Sequence, residues 1–153
     1  MNASRSSAPR QTMAVGTCLP CDLESVSADS VVYRDADWAC EVAKGYEVPG
    51  WYVLRVRRHA EGWAALTLPE AAGFGAASQK VSRAVQAVTG APTVYFLSFG
   101  ENYPHLHFLV IARPAALPPE LRGAAILTLR TERRDEVASL VTASAVRQAL
   151  LTD

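Results

Sequence analysis

Two of the three histidines in this chain, His105 and His107, are two residues apart in an apolar, β-branched segment. Successive side chains of a strand point to opposite faces of its sheet. A strand over residues 105–113 would therefore place both imidazoles on one face, with Leu109 beside them. Such a pair can bind a metal ion, attack a phosphate or simply occupy a polar pocket. Phosphate chemistry suits histidine because a neutral imidazole is nucleophilic near pH 7.

A second set of candidate ligands, Cys18 and Cys21, forms a C-x-x-C pair. The chain has three cysteines, an odd number that makes a poor disulfide framework. In a cytosolic protein, C-x-x-C indicates a metal or redox site. Two thiolates would be half of a tetrahedral zinc site, and only His59, His105 and His107 could add imidazole nitrogens. The spacing is not that of a classical zinc finger, so reduced structural thiols remain the alternative.

The charge balance and hydropathy restrict the class of partner. Lys plus Arg and Asp plus Glu both number 15, so the formal net charge is zero. A sequence-independent nucleic-acid binder needs an excess of positive charge, whereas a nucleotide-sized ligand does not. No stretch approaches the roughly 20 apolar residues of a membrane span, and no secretory signal is evident. We expect a cytoplasmic protein that acts on a small molecule, without nucleic acid or membrane as partner.

The order of the predicted strands and helices that carry these residues indicates one α+β domain. Residues 1–14 lack apolar periodicity and are expected to be a disordered arm, and residues 15–153 to form the domain. Strands are predicted over residues 31–34, 38–42, 51–56, 93–99 and 105–113. A tight turn at residues 100–102 would join the last two as an antiparallel hairpin.

Two helices complete the predicted architecture. Thr67 and Glu70 form a capping-box pattern, and Gly90 is a suitable C-terminal stop, so a long helix is predicted between them. Apolar residues at helical spacing predict a second helix over residues 132–151. The expected fold is a five-stranded antiparallel sheet with one long central helix and a C-terminal helix.

Two further groups of side chains admit either a functional or a structural role. Arg55, Arg57 and Arg58 end the third strand and could hold an anion, although such a run more often forms a solvated face. Trp51 could form one wall of a site for a flat ligand, or it could pack in the core.

Residues 104–113, PHLHFLVIAR, resemble the signature of the histidine-triad (HIT) superfamily, Pro-His-x-His-x-His followed by two apolar residues. The other features follow in the family's order. They are the N-terminal C-x-x-C, Pro49-Gly50 before a strand, a basic run ending in His59, the long helix and the hairpin. The resemblance covers roughly residues 17–115.

The resemblance implies a metal site, a nucleophile and an assembly. In zinc-bearing bacterial members, two cysteines and two histidines bind zinc, and these positions fall on Cys18, Cys21, His59 and His105. The family's nucleophile corresponds to His107, which would attack an α-phosphate and form a nucleotidyl-histidine intermediate. The family fold is usually a homodimer, so we expect one here, with Zn²⁺ as cofactor.

The departures from the family pattern lie where the nucleotide would bind. The third histidine of the triad is replaced by Leu109, which can neither donate a hydrogen bond nor carry a charge. The phosphate-contacting Gly-Gln-Ser/Thr segment has no match in residues 100–103, and Trp51 stands where a histidine is usual. We expect Asn102, Trp51 and Leu109 to contact the substrate.

Two functions from different classes follow. The first is a HIT-like hydrolase or transferase with His107 as nucleophile on a nucleotide phosphoanhydride or phosphoramidate bond. The alternative is a diverged HIT-fold protein that acts on a non-nucleotide small molecule in specialised metabolism, with His107 as acid or base, or a non-catalytic binding module. The retention of His107 favours the first.

Overall fold

A computed structural model describes residues 18–152, and the predicted arm at residues 1–14 lies outside them. Five strands are present in this part of the chain: β1 (Val31–Arg34), β2 (Trp38–Glu41), β3 (Trp51–Val56), β4 (Thr93–Leu97) and β5 (His107–Arg113). The α-helices in the same residues are α1 (Leu19–Asp22), α2 (Leu68–Thr89) and α3 (Glu136–Leu150). None of these helices is long and apolar enough to cross a bilayer.

The strands form one antiparallel sheet in the order β1-β2-β3-β5-β4. This confirms the predicted α+β fold with a five-stranded antiparallel sheet. Since β5 lies between β3 and β4, the strand that carries His107 is paired on both sides. His107 pairs with Arg55 and Leu109 pairs with Val53 across the β3–β5 ladder.

Helix α2 begins and ends where the local signals predict. The Thr67 side chain accepts a hydrogen bond from the Glu70 backbone N–H, and the Glu70 carboxylate accepts one from the Thr67 N–H. Gly90 ends the helix in the left-handed region, at φ 67°. The helix packs on the same face of the sheet as Phe108 and Val110, as the alternation of β5 requires.

The chain after β5 covers both faces of the sheet. Turns of 3₁₀ helix at Pro119–Leu121 and Gly123–Leu129 lie on the face opposite α2 and bury Ile126 and Leu129 there. Helix α3 then returns to contact α2 and β1 on the first face. The cavity described below lies on the face opposite α2, because its wall includes Leu127 from this segment and Val53 from β3.

Three predicted boundaries differ from the structure by two residues or more. Strand β5 begins at His107 and not at residue 105, because the backbone of Leu106 instead bonds to Ala60 and Val56 outside the regular ladder. Strand β4 ends at Leu97, so residues 98–106 form a nine-residue connection rather than a tight turn. Helix α3 begins at Glu136 and not at residue 132. The N-cap is Asp135, whose carboxylate accepts a hydrogen bond from the Ala138 N–H at 2.9 Å.

Candidate metal centre and active site

The C-x-x-C pair lies on the single turn of α1. The Asp22 N–H donates to the Cys18 carbonyl at 3.0 Å, and Pro20 lies in the first turn of the helix, where a missing N–H costs nothing. Leu23, which follows directly, is buried against Val53 of β3. This packing presents both thiols to the segments that follow β3 and precede β5.

Those segments supply His59 and His105. One donor atom from each of the four residues lies within 4.8 Å of every other. The Nδ1 atom of His59 lies 3.3 Å from the Sγ of Cys21 and 3.7 Å from that of Cys18. The Nδ1 atom of His105 lies 3.3 Å and 3.5 Å from the same two atoms. A tetrahedral zinc ion with ordinary Zn–S and Zn–N distances would place sulfur and nitrogen about 3.6 Å apart. The four donors therefore have the spacing of a tetrahedral metal site.

The hydrogen bonds of His105 direct the lone pair of its Nδ1 toward the thiols. Its Nε2 lies 2.7 Å from the Val56 carbonyl, which can only accept, so Nε2 carries the proton. Burial also lowers the pKa of His105, which favours the neutral ring that a metal requires. On the other histidine, the carboxylate of Glu61 lies 3.5 Å from Nε2 of His59. A carbonyl or carboxylate at the outer nitrogen of a ligating imidazole orients the ring toward its metal.

Without a cation, ionisation of the Cys21 thiol is unfavourable. Burial, and then the neighbouring Cys18 thiol, raise the pKa of Cys21 to about 11. A divalent ion would offset this cost and release the thiol protons. The donor set is therefore suited to a metal ion.

His107 lines a cavity of about 320 Å³ next to the candidate metal site. Leu19 and Pro20 of the metal-site turn form one part of its wall, so the candidate metal site and the cavity share α1. Asn102 and Leu109, expected as substrate contacts, both line this cavity.

The backbone orients the His107 ring. Its Nδ1 lies 2.6 Å from the carbonyl oxygen of His105, so Nδ1 donates its proton and the lone pair is on Nε2. The Tyr103 ring approaches it in an edge-on arrangement, with 6.4 Å between centroids. The arrangement supplies a fixed imidazole with an available basic nitrogen, which can act as a nucleophile or as a base.

Leu109 lies between Val53 on β3 and Leu97 on β4. Its side chain adds only apolar surface to the cavity wall. Leu109 therefore offers no hydrogen-bond donor beside His107.

The basic run that ends β3 is neutralised by carboxylates. Arg55 is fully buried and lies 2.8 Å from both Glu41 and Glu24. Arg57 also pairs with Glu24, and hydrogen bonds from Arg57 and then Arg55 lower the pKa of that carboxyl to about 2.

Arg58 in turn pairs with Glu70 at the start of α2. All three arginines are therefore structural ion-pair partners, and the role of anion binding that the sequence left open does not fit their contacts.

The structure places Trp51 away from the cavity. It is 3% exposed and packs with Ile111, Leu117, Ile126 and Leu129 under the segment after β5. Trp51 is thus a core residue and does not line the wall that holds His107.

Sequence reasoning missed Tyr46, Arg130 and Thr131, which line the cavity. The guanidinium of Arg130 lies 4.6 Å above the centre of the Tyr46 ring. These residues lie in irregular segments far apart in sequence, and no motif marks them. Only the fold of the segment after β5 brings them to the site.

No family model and no curated protein matches this sequence. Solved structures do resemble it. A hypothetical histidine triad nucleotide-binding protein from Sulfolobus tokodaii strain 7 is 15% identical, with a TM-score of 0.69, and the match covers 88% of this chain and 93% of that one. A Zn-bound histidine triad family protein from Mycobacterium smegmatis is 17% identical, with a TM-score of 0.65 over 89% and 94% of the two chains. The diadenosine triphosphate hydrolase of Plasmodium falciparum is 10% identical, with a TM-score of 0.63 over 84% and 80%.

Proposed function

Because the chain has the histidine-triad fold, we propose that it is a HIT-like hydrolase or transferase. Its substrate would contain a nucleotide phosphoanhydride or phosphoramidate bond. The observation that carries this proposal is the hydrogen bond from Nδ1 of His107 to the His105 carbonyl, which leaves the Nε2 lone pair in a cavity. The similarity in fold to a diadenosine triphosphate hydrolase supports it.

In the proposed reaction, Nε2 of His107 attacks the α-phosphorus and the leaving group departs with the bonding electron pair. The imidazole becomes positively charged, and its Nδ1–H bond to the His105 carbonyl stabilises that charge. Water or another acceptor then displaces the histidine from phosphorus. Leu109 cannot protonate the leaving group, so the leaving group must be stable as it departs or take its proton from solvent.

The decisive comparison is His107→Ala against the unaltered protein, with adenosine 5′-phosphoramidate and diadenosine triphosphate as substrates. Loss of the nucleophile should lower kcat/KM at least about 1,000-fold. Intact-mass spectrometry of the quenched reaction should detect a nucleotidyl adduct that the variant lacks. Thermal melting serves as the control for folding. Full activity in a folded His107→Ala protein would show that the nucleophile is wrongly assigned.

We also propose that Cys18, Cys21, His59 and His105 bind one Zn²⁺ per chain. The bound ion would supply a structural cross-link between α1 and the two histidine segments. Metal analysis of the purified protein should give about one zinc per chain, and Cys21→Ser should lose most of it, since one of four ligands is removed. Cys40→Ser is the matched control, because Cys40 is buried in the core among the residues packed against α2. A metal-free native protein would contradict the ligand set.

A second function has support from a specific observation. Leu109 is apolar, and Trp51 and the basic run do not offer the contacts expected of a nucleotide site. The alternative is therefore a diverged HIT-fold protein that acts on a non-nucleotide small molecule, with His107 as acid or base. A thermal-shift screen with adenosine and guanosine monophosphates beside non-nucleotide phosphates distinguishes the two. Stabilisation by nucleotides favours the first function, and stabilisation by non-nucleotide compounds alone favours the second.

A further inference from the structure

The cleft that holds His107 continues into a second cavity of about 520 Å³. Several residues line both cavities, among them Tyr46, Asn102 and Arg130. The second cavity adds Lys44, Gly45 and Arg134 to the wall. A ligand in the first cavity can therefore extend into the second without leaving the cleft.

The second cavity has a concentrated positive charge. Lys44, Arg130 and Arg134 line it, and no carboxylate side chain does. Arg134 is compensated by Glu47 at 2.7 Å. Within residues 18–152, neither Lys44 nor Arg130 has a carboxylate partner. Since the whole chain has a formal net charge of zero, two uncompensated cations in one cavity are a local feature.

Both cations are held on segments that Glu47 ties together. The buried Glu47 carboxylate accepts the Gly45 N–H at 2.8 Å and pairs with Arg134, and its backbone carbonyl accepts the Asp135 N–H at 2.8 Å. The Arg130 guanidinium lies over the Tyr46 ring, 4.6 Å from its centre, and this contact supports it. Binding an anion there would require little ordering of the chain.

Glu101 lines the first cavity and does not line the second. The charge of the cleft thus changes along its length. Glu101 and Arg130 both line the His107 cavity, whereas Lys44, Arg130 and Arg134 line the extension with no carboxylate side chain. An anionic group would therefore favour the extension, where Lys44 supplies a cation that the His107 cavity lacks.

We propose that the substrate carries a second anionic group, a phosphate or a carboxylate, which binds between Lys44 and Arg130. This inference rests on the proposed function, since it takes the His107 cavity as the place of the reacting phosphate. The cleft then selects molecules with an anion at each end over molecules whose distal half is neutral. The substrates are thus molecules that carry an anionic group at both ends.

Calorimetric binding of simple probes tests this without turnover. The probes are an alkyl monophosphate, an α,ω-alkyl bisphosphate and an ω-phosphoalkanoate, each with linkers of two, four and six carbons. The best two-ended probe should bind the unaltered protein about tenfold or more tightly than its monophosphate counterpart. The bisphosphate and the phosphoalkanoate differ only in the distal group, so their order tells whether phosphate or carboxylate is preferred.

Lys44→Gln should lose most of this preference while its affinity for the monophosphate changes little, because Lys44 lines the second cavity and not the first. Arg133→Gln is the control, since it removes a positive charge from an exposed residue that lines neither cavity. The proposal is overturned if two-ended probes show no advantage, if the advantage survives in Lys44→Gln, or if this variant loses monophosphate binding to the same extent. An active His107→Ala enzyme would refute the proposed function and leave the binding preference intact, so the two failures are distinguishable.

Discussion

His105 and His107 lie two residues apart, yet their rings have opposite proton positions. His105 donates through Nε2 to the Val56 carbonyl, and His107 donates through Nδ1 to the His105 carbonyl. The first therefore presents Nδ1 to the cysteines, and the second presents Nε2 to the cavity. The hydrogen bond of each ring to a backbone carbonyl thus makes His105 a candidate metal ligand and His107 a candidate nucleophile, although they are two residues apart.

At the same scale, Leu109→His should restore a proton donor beside His107. Under the proposed function, it should raise kcat/KM for adenosine 5′-phosphoramidate at least about tenfold, because general acid catalysis commonly contributes 100-fold or more. Leu109→Asn is the matched control, since it adds polarity without a comparable acid. An equal effect of both variants, or no gain from histidine, would indicate that leaving-group protonation is not what the cleft lacks.

The elements around the site are joined by polar contacts at their ends. The Trp38 indole N–H on β2 donates to the Glu70 carbonyl at 2.8 Å, and Arg58, which follows β3, pairs with the Glu70 carboxylate at 2.8 Å. The N-terminus of α2 is thereby attached to two neighbouring strands. Since His59 follows Arg58, this attachment also positions a candidate metal ligand.

The Arg58–Glu70 pair should make stability depend on pH. The hydrogen bond from Arg58 lowers the pKa of Glu70 from 4.5 to about 2. A carboxyl whose pKa is lower in the folded state stabilises fully above about pH 5 and loses this contribution as the pH falls through 2. Glu70→Gln should therefore lower the urea midpoint at pH 7, and the difference from the unaltered protein should shrink by about half or more at pH 3.

Glu132→Gln is the control for this measurement, because Glu132 is exposed and precedes α3. It should leave the urea midpoint nearly unchanged at both values of pH. A Glu70→Gln difference that stays constant between pH 7 and pH 3 would mean that the carboxylate acts through the shape of the cap and not through its charge.

At the scale of the whole molecule, the segment after β5 completes the cleft. Its 3₁₀ turns bury Leu129 on the sheet and place Arg130 over Tyr46, and α3 then packs on the opposite face. One continuous stretch of chain thus contributes both to the core and to the wall of the candidate site. Changes at its exposed residue Arg130 are expected to alter ligand preference more than the fold.

The homodimer expected from the family resemblance is a prediction at this scale as well. Strand β4 is at one edge of the sheet, with β5 as its neighbour and no second partner strand among the described residues. An unpaired strand edge can add a strand from a second copy. Light scattering at micromolar concentration should give twice the chain mass of 16.5 kDa. A mass equal to one chain would contradict the dimer.

Features that depend on neighbouring residues could be predicted from the amino-acid sequence alone. The capping box at Thr67 and Glu70, the left-handed stop at Gly90 and the alternation along β5 are local, because backbone geometry and short-range hydrogen bonds decide them. These signals, with the family resemblance, were enough to predict the sheet, the long helix and the candidate ligands.

The charge and the shape of the cleft depend on tertiary packing. Glu24, Glu41 and Glu70 neutralise the basic run from distant positions, whereas Lys44 and Arg130 have no carboxylate partner within residues 18–152. No local pattern distinguishes these two groups of cations, because an ion pair depends on which segments the folded chain brings within about 4 Å. The sequence therefore identified His107, and the packing of remote segments decided what surrounds it.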